Sequence, residues 1–183
     1  SVVLGGSVSD SATLSGLATQ PANPVINLTG TGGATGSTNH GIYINNSGRI
    51  SSTGNNASDL RINGYGGAGS SNGITLIGSG SRSYIQSATG DIYIDARGGT
   101  SGNGLSIGNN ASDITSTGTT ADAANIFITA VGTGTGSGIS MDGNGSSSFI
   151  RTTAGDIDIT ASSTGTGYGL RLARASAGIQ SLG

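Results

Sequence analysis

The sequence predicts an all-β fold, a parallel β-helix (β-solenoid) with three short strands per turn and about five to six turns. Three observations predict it. Three short motifs recur in constant order along the chain. Within each motif apolar residues alternate with polar ones, the period of a strand with one buried face. Glycine (36 of 183 residues) and Ser/Thr/Asn fill the intervals, as turns require.

The first motif reads VINLT (Val25–Thr29), DLRIN (Asp59–Asn63), DIYID (Asp91–Asp95), NIFIT (Asn125–Thr129) and DIDIT (Asp156–Thr160). The second reads GIYI (Gly41–Ile44), GITL (Gly73–Leu76), GLSI (Gly104–Ile107), GISM (Gly138–Met141) and GLRL (Gly169–Leu172). The third reads RISS (Arg49–Ser52), YIQS (Tyr84–Ser87), DITS (Asp113–Ser116), FIRT (Phe149–Thr152) and GIQS (Gly178–Ser181). The period averages about 32 residues. One such strand buries only two apolar side chains, so no unit folds alone. Copies stacked about 4.8 Å apart bury continuous columns.

Three motifs imply three faces. On the first, Ile26, Leu60, Ile92, Ile126 and Ile157 form one inward column, and Leu28, Ile62, Ile94, Ile128 and Ile159 its companion. On the second, Ile42, Ile74, Leu105, Ile139 and Leu170 stack beside Ile44, Leu76, Ile107, Met141 and Leu172. On the third, Ile50, Ile85, Ile114, Ile150 and Ile179 stack beside the hydroxyls of Ser52, Ser87, Ser116, Thr152 and Ser181. Those hydroxyls can bond along the stack or back to the backbone.

Two regions follow: residues 1–24, a partial first turn or a linker, and 25–183, a β-solenoid of five repeats. Val2–Leu4 fits a second-face strand. Thr13–Gly16 (TLSG) fits a third-face strand, because Leu14 precedes Ile26 by the interval that separates Ile50 from Ile62. Pro21 and Pro24 favour the linker reading. A chain that starts and stops in mid-turn suggests a slice of a longer solenoid, or a subunit that self-associates through open solenoid ends.

The unit, [D/N]-I-x-I-T, then a G-x-G segment, G-I-x-I and I-x-S, resembles the repetitive β-helical exoproteins of bacteria: filamentous-haemagglutinin-like two-partner secretion proteins and autotransporter passengers. The resemblance covers Val25–Gly183. It implies secretion, an extracellular or cell-surface location, and an adhesive or scaffolding role; the function expected is that of a non-enzymatic structural segment of an exported surface adhesin or fibre. The repeats here are longer than those usual in that family.

Composition narrows the chemistry. All seven cations are arginine and all nine anions aspartate, for a net charge of −2. No basic patch suggests a nucleic-acid partner. No apolar run reaches the ~20 residues of a membrane-spanning helix. With no cysteine there is no disulfide framework and no thiolate metal site. Glycine runs such as AVGTGTGSG lack the lysine of a phosphate-binding loop. The sequons at Asn27, Asn45, Asn56, Asn110 and Asn144 read as loop chemistry in an Asn/Ser/Thr-rich chain.

The alternative function is a carbohydrate-active β-helix enzyme of the lyase or hydrolase type. Asp59, Asp91, Asn125 and Asp156 share a column, where stacked carboxylates could share a cation or act as acid and base. The competing reading has them bonding backbone N–H groups at a turn. DGNGS (Asp142–Ser146) opens like a calcium loop, but Thr153 stands where a bidentate glutamate belongs. His40, the only histidine, reads as a solvated loop residue. The sequence therefore assigns no catalytic residue, metal site or cofactor. The outward rank Ser51, Gln86, Thr115, Arg151 and Gln180 is too mixed for ice binding.

Outward aromatics mark the candidate interaction surface. Tyr93 and Phe127 fall on adjacent rungs of the first face; Arg49, Tyr84 and Phe149 share a rank of the third. They could serve self-assembly or stacking against surface glycans, or could simply stabilise the sheet as cross-strand pairs.

Overall fold

The computed structural model describes residues 2–4, 7–10, 25–54, 57–78, 81–108, 111–144 and 146–183, the first two segments by their backbone course alone. The strands follow one another in circuits. β1 (Val2–Leu4), β2 (Ser7–Asp10) and β3 (Val25–Thr31) make the first. β4 (Ile42–Asn45), β5 (Arg49–Ser52) and β6 (Asp59–Tyr65) make the second; β7 (Ile74–Ile77), β8 (Ser83–Ser87) and β9 (Ile92–Arg97) the third. β10 (Leu105–Gly108), β11 (Ser112–Ser116) and β12 (Ile126–Gly132) form the fourth, and β13 (Ile139–Asp142), β14 (Ser148–Thr152) and β15 (Ile157–Ser163) the fifth. β16 (Leu170–Leu172) and β17 (Ala177–Ser181) open a sixth.

Each strand pairs in parallel with its counterparts one circuit before and after. The result is three sheets: β3-β6-β9-β12-β15 (first face), β1-β4-β7-β10-β13-β16 (second) and β2-β5-β8-β11-β14-β17 (third). This is a β-solenoid. The register matches every column set out above: Ile126 lies opposite Ile92 and Ile157, Leu105 opposite Ile74 and Ile139, and Ile114 opposite Ile85 and Ile150.

The core is the axial bundle of these columns. Ile42, Ile74, Ile85, Ile92, Leu105, Ile114, Ile126 and Ile139 are completely buried. Positions in the last circuit have a neighbouring rung on one side only. Leu170 and Leu172 are 43% and 46% exposed there, which measures how much each column residue owes to rungs on both sides.

Two features depart from expectation. The third-face strand of the first circuit is Ser7–Asp10, with Val8 opposite Ile50. It is not Thr13–Gly16, which lies outside the described residues. β2 begins at Ser7, three positions after β1 ends at Leu4, so the third-face strand comes earlier in the sequence than the Leu14 interval implies. The first-face strands are also longer than four or five residues. A third inward position follows their isoleucine pairs, occupied by Gly30, Gly64, Ala96, Ala130 and Ala161. Ala96 and Ala130 are fully buried.

The glycine that opens each second-face motif has a steric cause. A Cβ at Gly73 would lie 2.5 Å from Arg97 N, one at Gly104 2.6 Å from Val131 N, and one at Gly138 2.6 Å from Ser162 N. The chain passes over the first-face strand that closes the same circuit too closely for any side chain. The corner between β4 and β5 is a tight turn: Asn46 and Ser47 have φ of 48° and 68°, and the Gly48 N–H donates to Asn45 O at 2.7 Å.

Candidate functional site

The aspartate column at the head of the first face is a ladder. The Asp91 N–H donates to Asp59 Oδ1 at 2.9 Å, the Asn125 N–H to Asp91 Oδ1 at 2.8 Å, and the Asp156 N–H to Asn125 Oδ1 at 2.8 Å. Each side chain therefore caps the backbone of the next rung, where the strand begins and the sheet ladder has not yet taken over. Asp91 carries more: its Oδ1 accepts from Asn125 Nδ2 at 3.1 Å and its Oδ2 from the Tyr93 hydroxyl at 3.1 Å.

A second ladder precedes the second face and includes the histidine. The Asn72 N–H donates to His40 Nδ1 at 3.0 Å, the Asn103 N–H to Asn72 Oδ1 at 2.9 Å, the Ser137 N–H to Asn103 Oδ1 at 2.8 Å, and the Tyr168 N–H to Ser137 Oγ at 3.2 Å. His40 is thus not a solvated loop residue. Its ring is partly buried and stacks on Tyr43 with centroids 5.4 Å apart, and the accepting Nδ1 requires the neutral Nε2–H tautomer. Burial pushes its pKa below the ordinary value.

Ser52, Ser87, Ser116 and Thr152 of the third-face hydroxyl column are buried, and Ser181 in the last circuit is exposed. Thr152 Oγ1 donates to Gly155 O at 2.6 Å and Ser87 Oγ to Gly90 O at 2.5 Å, so these two close their turns. Among the described residues, Ser52 and Ser116 Oγ have no hydrogen-bond partner.

On the outer surface of the third face, Arg49, Tyr84, Asp113 and Phe149 stand in one rank. Arg49 Nη1 donates to the Tyr84 hydroxyl at 3.1 Å. Asp113 is 1% exposed. Its Oδ1 accepts from the Phe149 N–H at 3.0 Å, and Arg82 and Arg151 approach its Oδ2 at 3.0 and 3.8 Å. Arg151 also lies 5.8 Å from the Phe149 ring centre. Asp113 Oδ2 is held by these ion pairs without a hydrogen bond among the described residues.

The first face is different. Its outward ranks are Asn27, Arg61, Tyr93, Phe127, Asp158 and, beside it, Thr29, Asn63, Asp95, Thr129, Thr160. Tyr93 and Phe127 stack with centroids 5.0 Å apart. The Arg61 guanidinium covers the opposite face of Tyr93, 4.5 Å from the ring centre. Partial burial and the Asp91 hydrogen bond raise the Tyr93 pKa. Between the two ranks runs a groove of about 400 Å³, lined by residues of both and floored at Ile94.

Arg49, Tyr84 and Phe149 thus fall in one patch and Tyr93 and Phe127 in another, on different faces. Asn63, Asp95, Thr129 and Arg61 were not singled out from the sequence, although their register beside the isoleucines places them outward. The residue before each second-face glycine (His40, Asn72, Asn103, Ser137) was the legible signal for the second ladder.

Asp142, in the calcium-like segment, is engaged by Arg174, whose Nε donates to Oδ1 at 2.8 Å. Among the described residues no three His, Cys, Asp or Glu side chains gather to hold a metal ion, and no helix is long and apolar enough to cross a membrane. The sequons at Asn56 and Asn110 lie outside the described residues. No protein-family model, curated protein or solved structure matches the chain.

Proposed function

We propose that the chain is a non-enzymatic structural segment of an exported bacterial surface adhesin or extracellular fibre. The observation that supports this most is the use made of the stacked polar residues. Asp59, Asp91 and Asn125 accept backbone N–H groups of the next rung, and His40, Asn72 and Asn103 do the same at another corner. Residue types that catalysis would need are spent on binding each rung to the next. What they produce is axial continuity, the property of a stiff spacer.

Protease shaving and antibody labelling of intact cells test the proposal. Recovery of the chain's peptides from the shaved surface, with loss of surface label, is expected. Exclusive recovery from the cytosol of unshaved cells overturns it.

A further inference from the structure

We propose that the groove on the first face is a binding site for an uncharged glycan chain lying along the solenoid axis. This deepens the adhesive reading and rests on it. Three properties of the groove carry the inference.

Its polar groups are poorly engaged. Asn27 and Thr129 make no side-chain hydrogen bond among the described residues. Asn63 Nδ2 reaches Thr29 Oγ1 only at 3.4 Å, and the Tyr65 hydroxyl reaches Asp95 Oδ2 only at 3.3 Å, both longer than a good hydrogen bond. By contrast, Asp113 pairs with Arg82 and accepts from the Phe149 N–H, and Asp142 pairs with Arg174.

The available groups are of both kinds. Asn63 and Thr129 donate and accept, and the Asp95 carboxylate accepts twice. A sugar hydroxyl also donates and accepts, so a polyhydroxylated chain can satisfy all three. Successive rungs, about 4.8 Å apart, present these groups in a line parallel to the axis, which suits an extended polymer better than a compact metabolite. The lining holds one cation, Arg61, and one anion, Asp95. The near-neutral balance disfavours a phosphate- or sulfate-bearing polymer.

The wall is aromatic, with one ring face left over. Tyr93 is covered on both faces, by Arg61 and by Phe127. Among the described residues Phe127 stacks with Tyr93 alone, and its neighbour on the following rung is Asp158, which carries no ring. The other face of Phe127, beside Thr129, is where the C–H face of a sugar ring can pack. The volume, about 400 Å³, is that of a small-ligand site.

The test uses the purified chain, independent of where the cell puts it, so failure of the groove and failure of the surface reading are separable. Soluble neutral oligomers of glucose, mannose and N-acetylglucosamine are titrated in by heteronuclear NMR, with heparin as an acidic probe. One neutral series should shift the amides of Asn63, Asp95, Phe127 and Thr129 together. Asp95→Ala should weaken its binding by about tenfold, the loss of one hydrogen bond to a charged acceptor. Phe127→Ser should abolish the binding; Asn63→Leu, which leaves the aromatic stack intact, should weaken it if Phe127→Ser disturbs folding. Binding of heparin alone, shifts confined to another face, affinity unchanged in Asp95→Ala and Asn63→Leu, or no shift with any oligomer overturns the proposal.

Discussion

Tyr93 and Phe127, on adjacent rungs of the first face, lie with ring centroids 5.0 Å apart and planes 11° from parallel. Arg61 extends the stack by one rung. Such pairs contribute about 0.5–1.5 kcal/mol beyond the area they bury. Phe127→Leu should therefore lower stability by about 1 kcal/mol in urea unfolding and weaken the Arg61→Ala effect in a double-mutant cycle. Additive single and double mutants would mean that the rings are neighbours without coupling.

Ile126 is fully buried between Ile92 and Ile157. Ile126→Ala should cost about 2–5 kcal/mol, since rungs on both sides prevent the cavity from collapsing. Leu172→Ala, at a position 46% exposed, should cost well under half as much. Equal losses in denaturant titrations would contradict the column geometry.

The columns were legible because isoleucine at every second position, in three motifs of fixed order, admits few other packings. The extra inward position on the first face was not, because Gly64, Ala96 and Ala130 carry no hydrophobic signal. β2 was missed for a related reason: SVSD offers one apolar residue, whereas Leu14 lay at a familiar interval. The ladders were half legible. The aspartate column could be seen, but its partner, the N–H one rung away, is a property of the stack. The groove was invisible, since the outward positions of Asn63 and Asp95 in their motifs marked no site until their strands were placed side by side.

Asp91 separates the structural role from the enzymatic alternative. Asn can accept the Asn125 N–H as Asp91 does, as Asn125 itself does for Asp156. Asp91→Asn should be nearly neutral in thermal unfolding, and Asp91→Ala should cost about 1–3 kcal/mol by leaving a part-buried N–H without its acceptor. A glycan-cleaving activity present in the parent and lost in Asp91→Asn would transfer the residue to catalysis.

Two ion pairs should differ. Arg82 sits 3.0 Å from a carboxylate that is 1% exposed, while Arg174 and Asp142 are both largely in solvent. Arg82→Ala leaves Asp113 with Arg151 at 3.8 Å as its remaining cation. The cost should be about 1–3 kcal/mol, discounted because Arg82 is itself half exposed. Arg174→Ala should cost less than about 1 kcal/mol and lose its effect in high salt. Similar losses for both, in matched unfolding curves, would refute the distinction.

His40 makes one corner sensitive to acid. Its folded pKa lies below the ordinary 6.5, so the unfolded chain takes up the proton first. Stability from this site is full above about pH 6.5 and declines as pH falls toward the folded value. Protonation also replaces the Nδ1 acceptor of the Asn72 N–H with a donor. His40→Asn should preserve stability at neutral pH and remove the decline that sets in below about pH 6.5, above the range where free aspartates titrate. An unchanged slope would place the sensitive group elsewhere.

The central claim is that stacked rungs make this chain a stiff segment of a surface structure. Electron cryomicroscopy of the native material, taken from the surface of the cells that make it, tests that most directly. Rods with rungs about 4.8 Å apart along their length, outside the cell, are the expected result. A compact particle confined to the cell interior, without axial rung spacing, would contradict it.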